Sequence, residues 1–402
     1  MKLSQTSRIV VLRGFWQLIV LQAVTVPFFH DRGLTTSEIF VVQMLFTLVL
    51  TVLDIPASML SGHIGRRNSL IFAALAKAIG GMLLVPNLHF AGILAAYAMI
   101  AIGNSFYSGI ESSLLYDGIQ SDRDPKALLK RTLATSYTVT LSSTIVANVL
   151  GGLIAKHFGF QAVAYINAIL AFSSLIVALT IKDVSQPNQD SLARGESGET
   201  LRAAASILMS RQRLAMVCLL IVMGVAGPVF GTLLQIHLYD RQVYLIWFGI
   251  LIAVQNALGA FLGILLRSSL VTRLGRLRAD MLVLLPAIAA FGLLNAATLL
   301  MLPVVLATME AAKSISFVVV GGEFASSYES RARATVSSMQ SVLVRIGSIG
   351  VNAVFAVGSH SRASGQLSYG LALTLAAVAI GYRIRSKGIG ETPYPKTSGG
   401  AK

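Results

Sequence analysis

Twelve runs of apolar residues, each about as long as a lipid bilayer is thick, follow one another along the chain. A helix needs roughly 20 apolar residues to cross the hydrocarbon. The runs lie at about 8–29, 36–60, 69–87, 91–116, 132–155, 161–181, 214–237, 244–266, 281–301, 304–327, 334–358 and 364–384. Composition agrees: 55% of the 402 residues are hydrophobic and only 12% are charged, about half the usual charged share. With a mean hydropathy of +0.73, a soluble enzyme, a disordered chain and a collagen-like fibre are excluded. The expected fold is all-α and integral to the membrane.

Connections between the runs are short except for Lys182 to Arg213, a polar stretch rich in Ser, Gln, Asp and Glu. It divides the chain into a six-helix bundle (1–181), a linker (182–213), a second six-helix bundle (214–386) and a tail (387–402). No signal peptide is evident, because Arg13 interrupts the first run and no small-residue cleavage site follows. Net charge is +15. If both termini lie in the cytoplasm, 24 Lys and Arg fall on that side in loops and helix ends. Only Arg32, Lys156, Arg241 and Arg362 fall outside. That asymmetry is the positive-inside rule, so the chain is expected to be multi-pass in the cell inner membrane, in contact with lipid. Nucleic acid is not an expected partner, since no basic patch alternates with stacking aromatics.

The two halves carry related loops. Gly65-Arg66-Arg67 after segment two has a counterpart in Gly275-Arg276 after segment eight, 210 residues on. Arg131-Thr132-Leu133-Ala134-Thr135 has one in Arg331-Ala332-Arg333-Ala334-Thr335, 200 residues on. Duplicated halves around a midplane site are a common transporter design, and the two bundles are expected to be pseudo-symmetric.

Several motifs resemble the major facilitator superfamily. They are Asp31-Arg32-Gly33-Leu34-Thr35-Thr36-Ser37-Glu38, then Asp54-Ile55-Pro56-Ala57-Ser58, then Gly65-Arg66-Arg67. The loop after segment two is similar to the signature G-x-x-x-D-R-x-G-R-K/R. The end of segment two is similar to bacterial members with Glu-Ile-Pro-Thr-Gly there, and Ser112-Ser113-Leu114-Leu115-Tyr116-Asp117 to their Ala-Leu-Leu-Tyr-Asp element. The resemblance implies the twelve-helix major facilitator fold and transport by alternating access. It also implies a gating role for Gly65, Arg66, Arg67, Asp117, Gly275 and Arg276. In the family, the signature Asp latches the two halves; here Gly62 stands in its place, so that contact is absent. The antiporter motif G-P-x-x-G-G survives only as Ala147-Asn148-Val149-Leu150-Gly151-Gly152, and the segment-four Arg of drug antiporters is missing.

Charges inside membrane helices are costly and mark functional sites or ion pairs. Glu310 and Lys313, three apart on segment ten, share a helix face. Arg345 on segment eleven lies at a similar depth. The three form either a polar cluster lining the cavity or a structural ion pair. Asp54 and Glu111 are each a proton carrier or a latch, with Arg66 or Arg67 as the expected partner of Asp54. Lys77 and Arg13 are expected to snorkel to the interface, Arg13 being the better placed of the two to reach the cavity, and Tyr107 is a candidate cavity wall. The glycine pairs 80–81, 151–152 and 321–322 read as close helix-packing points.

Catalytic and phosphate-binding constellations are absent, and the histidines and Cys218 show no metal-ligand spacing. No enzyme activity, cofactor or metal is expected. The expected function is secondary active transport of a small organic compound, amphiphilic or anionic, by a monomer coupled to protons. Export is the leading direction. Uptake of a small metabolite is the alternative, and a non-transporting receptor or scaffold is the third class.

Overall fold

The structure is a computed structural model that describes residues 5–117, 125–181, 206, 208, 214–265, 279–294, 297–326 and 333–358. Among these residues every regular element is a helix. In chain order they are α1 (Gln5–Gln17), α2 (Thr25–Asp31), α3 (Thr36–Ile64), α4 (Arg66–Leu83), α5 (Phe90–Asp117) and α6 (Pro125–Thr180). Then follow α7 (Leu214–Asp240), α8 (Leu245–Leu265), α9 (Ala279–Leu294), α10 (Leu302–Ile315), α11 (Gly321–Ser326) and α12 (Arg333–Gly358). Among the described residues, seven stretches are long and apolar enough to cross a membrane. Helix stands at eleven of the twelve expected positions; the twelfth, 364–384, lies outside the described residues.

Backbone chemistry explains where the elements stop. The fifth and sixth expected spans run together as α6, which turns at Gly159 with φ 79°, a conformation that side chains with a Cβ rarely adopt. Thr35 and Glu38 form a capping box at the start of α3: the Thr35 amide donates to Glu38 Oε2 at 2.7 Å, and the Thr35 hydroxyl accepts from the Glu38 amide. Part of the Asp31–Glu38 motif is thus a helix start. The first span is not the continuous helix expected. It is α1, a 3₁₀ turn over Val20–Val24, and α2. Pro27 in the first turn of α2 has no amide to carry the ladder back, so a new helix start suits it.

The two faces of the molecule differ in charge. One bears the turns at 32–35, 84–89, 241–244 and 297–301. The other, the basic face, bears Arg8, Arg66, Arg67 and Arg131. The N-terminal half (to residue 181) meets the C-terminal half (from 214) where α3 packs on α12, α6 on α8, and α2 on α7. One apolar core, including Phe28, Phe40, Phe230, Phe248 and Phe355, is continuous through both halves. A separate core around Ile9, Leu12, Leu70, Phe106 and Leu175 belongs to the N-terminal half alone. The basic-face end of α3 exposes Val52, Ile55, Met59 and Leu60.

Candidate functional site

The polar site of the C-terminal half is built on α10. One turn of helix brings Glu310 and Lys313 together, with Lys313 Nζ 2.6 Å from Glu310 Oε1. The same oxygen accepts from Gln255 Nε2 of α8 at 2.9 Å. Neighbouring helices make room with glycine: a Cβ at Gly259 would stand 2.6 Å from Glu310 Oε2, and one at Gly227 would stand 3.4 Å from Lys313 Cε. The carboxylate side chain is 5% exposed and the ammonium side chain 37%. The site is therefore a sheltered anion with a cation that still faces open space. Just beyond Lys313 the helix widens into a π turn over Ser316–Val320, a distortion frequent at functional sites.

Arg345 does not join this pair. Its Nη1 lies 2.9 Å from Asp54 Oδ2 and approaches the Leu50 carbonyl. It is directed to the other half because α12 packs along α3. Asp54 in turn does not meet Arg66 or Arg67. Twelve residues separate Asp54 from Arg66, most of them along the continuous α3, roughly 18 Å at 1.5 Å per residue, which is beyond side-chain reach. The expected three-charge cluster is thus two pairs, one inside the C-terminal half and one bridging the halves.

In the N-terminal half, Arg13 Nε donates to Thr140 Oγ1 at 2.7 Å. Tyr107 is interior rather than a cavity wall: it is 7% exposed and stacks on Trp16, with ring centroids 3.9 Å apart. Trp16 Nε1 donates to Asn104 Oδ1 at 3.0 Å. Lys77 does not snorkel. It is 6% exposed, donates to the Trp16 carbonyl at 2.5 Å and lies 4.3 Å from the Trp16 ring centroid. The break after α1 accounts for this, since it turns a backbone carbonyl towards α4 that an unbroken helix would use internally. Glu111 and Asp117 sit in the last two turns of α5, and their side chains lie outside the described part of the structure.

On the basic face, Gly65 takes φ 85° between α3 and α4, and Arg66 opens α4. Arg67 donates to the Ile181 carbonyl at 2.8 Å and to that of Leu179, closing the C-terminal end of α6 where carbonyls have no helical partner. Gly275 and Arg276 lie outside the described residues.

At the opposite face the halves are joined. Gln235 of α7 accepts from the Val26 amide at 3.0 Å and donates to the Gln22 carbonyl at 3.1 Å. His30 stacks on Tyr239 at 4.4 Å, Phe40 meets Phe355 at 4.9 Å, and the Ser37 hydroxyl donates to the Ala356 carbonyl. Gly152 of α6 and Gly249 of α8 let two backbones touch, for a Cβ at Gly249 would fall 2.3 Å from the Asn148 carbonyl. Above this seal a cavity of about 700 Å³ is lined by Pro27, Lys156, Phe160, Tyr239, Asp240 and Tyr244, among others. Arg32 clasps the N-terminal half at the same face, donating to Pro86, Asn87 and Gln161 at 2.7–3.0 Å. Burial lowers its pKa and the neighbouring Asp31 opposes that. Gln235, Gln255 and Asn104 were not foreseen from the sequence. The available signal was an amide side chain inside an apolar run, which needs a partner in a membrane.

A helical bundle whose halves meet along paired helices, with an ion pair between them and a buried carboxylate inside one half, has the architecture of a membrane transporter. The chain belongs to the Major Facilitator Superfamily, whose family model matches residues 11–352. An uncharacterized transporter of Buchnera aphidicola subsp. Schizaphis graminum (strain Sg) is 27% identical over 135 residues. That match covers 34% of this chain and 33% of the relative, so the chain spans about a third of that relative's length. Among solved structures, the nucleoside transporter NupG superposes with a TM-score of 0.76 at 13% identity, covering 96% of this chain and 100% of that one. The POT family transporter PepTSo gives 0.71 at 14%, over 96% and 99%. A bacterial homolog of the human lysosomal transporter Spinster, inward-facing and unoccupied, gives 0.68 at 14%, over 95% and 96%. These likenesses establish the fold. The chain is a membrane-embedded member of that superfamily.

Proposed function

We propose that the protein carries a small anionic organic compound together with a proton across the cell inner membrane, as a monomer, by alternating access between an N-terminal and a C-terminal bundle. The observation that supports this reading is the asymmetry of the Glu310–Lys313 pair. Lys313 has three donors and more than a third of its side chain open. Glu310 is sheltered and held by Lys313 and Gln255 on one oxygen. An anionic substrate that takes Lys313 strips the carboxylate of its counter-ion. A lone buried charge is costly, so Glu310 then takes up a proton from cavity water. Anion and proton therefore bind together and move together. Down an inward proton gradient that is uptake, the direction ranked second from the sequence.

Export of an amphiphile in exchange for protons is the second reading. The exposed apolar side chains Val52, Ile55 and Met59 on the basic-face end of α3 favour it, as an apolar wall would hold such a compound. With the basic face in the cytoplasm, the seam described above closes the outer side and the conformer is inward-facing.

The test is transport of a panel of organic acids and amphiphiles in right-side-out and everted membrane vesicles with an imposed pH gradient. Accumulation of an acid in right-side-out vesicles acidified outside supports co-transport. Accumulation only in everted vesicles acidified inside establishes export. Lys313→Met should abolish anion binding, and Glu310→Gln should remove the proton dependence. Transport restored in the Glu310→Gln, Lys313→Met double variant would reduce the pair to a structural tie.

A further inference from the structure

The break in the first membrane span is gripped at both ends by side chains from elsewhere. Membrane-embedded backbone leaves the helical ladder only where its polar groups find other partners. In an unbroken helix the Trp16 carbonyl would accept from the amide of Val20. Here the ladder ends: the Ile19 amide turns back to the Gln17 carbonyl at 2.9 Å, and the Trp16 carbonyl accepts from Lys77 at 2.5 Å. The ammonium also faces the Trp16 ring at 4.3 Å, and no carboxylate pairs with it among the described residues. At the other end of the break, the Gln22 carbonyl and the Val26 amide are both bound by Gln235, which belongs to the opposite half. Between the two grips, Gly151 of α6 fits under the Val20 carbonyl so closely that a Cβ would lie 2.0 Å from it.

We propose that Lys77 is a conformational positioning residue: by holding the Trp16 carbonyl it keeps the first span broken, and the break is what presents Gln22 and Val26 to Gln235 to close the two halves. The two grips act on one stretch of backbone from opposite sides. When Lys77 lets go, the Trp16 carbonyl returns to the helix ladder, the 3₁₀ turn rewinds, and Gln22 and Val26 rotate out of register with Gln235. By thermodynamic reciprocity, loss of Gln235 loosens the Lys77 contact by the same factor. The proposal rests on alternating access as read above but not on substrate, proton or direction. Its assay reads conformation rather than flux, so the two readings fail separately.

The chain has two tryptophans, Trp16 and Trp247. In a Trp247→Phe, Cys218→Ser background, Trp16 emission reports the Lys77 contact directly. Spin labels at Phe158→Cys and Leu300→Cys, both exposed and one in each half, report closure of the joined face. Lys77→Met is expected to change Trp16 emission and to lower the closed-to-open ratio about tenfold. Gln235→Leu, some distance from Trp16, is expected to lower that ratio and to produce the same emission change. The double variant should shift no further than the larger single shift. If Gln235→Leu opens the face while Trp16 emission stays as in the parent, or if the two substitutions add independently, the proposal is overturned. Should Lys77→Met fail to fold, the Gln235→Leu emission measurement decides alone.

Discussion

Asp54 and Arg345 form the contact between the halves that lies deepest towards the basic face among those described, and breaking it has a calculable effect. Two unit charges 4 Å apart attract by roughly 4 kcal/mol at an effective dielectric near 20. This pair is 2.9 Å apart, with side chains 31% and 23% exposed. Solvent screening and desolvation reduce the net value to about 1–2 kcal/mol. That is a factor of roughly 5–30 in a two-state equilibrium. The pair forms only if α3 and α12 remain together at this depth, so the factor applies to the ratio of closed to open conformers at the joined face. We expect Asp54→Asn and Arg345→Gln each to lower that ratio by about tenfold, because each leaves an unpaired charge in the seam. The double variant should be no worse than either single, and the exchange Asp54→Arg with Arg345→Asp should recover most of the parent ratio. The assay is the distance distribution between spin labels at Phe158→Cys and Leu300→Cys in a Cys218→Ser background, measured on folded protein in lipid. An unchanged distribution in both single variants would refute the reasoning. It would mean that the pair sits on the axis of rotation and persists in both states.

Other outcomes follow from the same contacts. Gly249→Ala would drive a Cβ to within 2.3 Å of the Asn148 carbonyl, so it should force α6 and α8 apart and raise thiol labelling of cysteines placed beneath the seal. Arg32→Ala loses three hydrogen bonds to neutral partners, which should cost about 2–4 kcal/mol, read as a lower unfolding midpoint in detergent. Arg67→Ala removes the cap on α6 and should slow conformational exchange while leaving equilibrium ligand binding within about threefold, as isothermal titration would show. Ser197→Cys in the long linker should resist an impermeant thiol reagent applied to intact cells; labelling from outside would overturn the cytoplasmic placement.

Much of the architecture was legible along the chain. A span needs a run of apolar residues of set length, which is a one-dimensional property, and each run that the described residues cover contains helix, though not always from end to end. Gly65 could be placed in the loop after the second span from its motif, whereas the turn at Gly159 emerged only from the structure. The family could be read from Gly65-Arg66-Arg67 and Leu114-Leu115-Tyr116-Asp117, since those motifs are local. Glu310 and Lys313 could be paired from their spacing of three on one helix, for the same reason.

What the tertiary structure alone decided was the choice of partners between helices. Depth along a helix axis can be counted from the sequence, and Arg345, Lys313 and Glu310 share it. Azimuth cannot be counted, because the direction in which a helix face points is set by which helix packs against it. The packing of α12 on α3 sent Arg345 to Asp54 and left Lys313 to Glu310. The break after α1 turned Lys77 from an expected surface lysine into a buried ligand of a carbonyl. Periodicity did not reveal that break, since Gln17 and Gln22 are the only polar residues between Phe15 and Val24. The backbone groups that the break exposes are met by residues remote in sequence, Lys77 on the Trp16 carbonyl and Gln235 on the Gln22 carbonyl and the Val26 amide, while Gly151 makes room under the Val20 carbonyl.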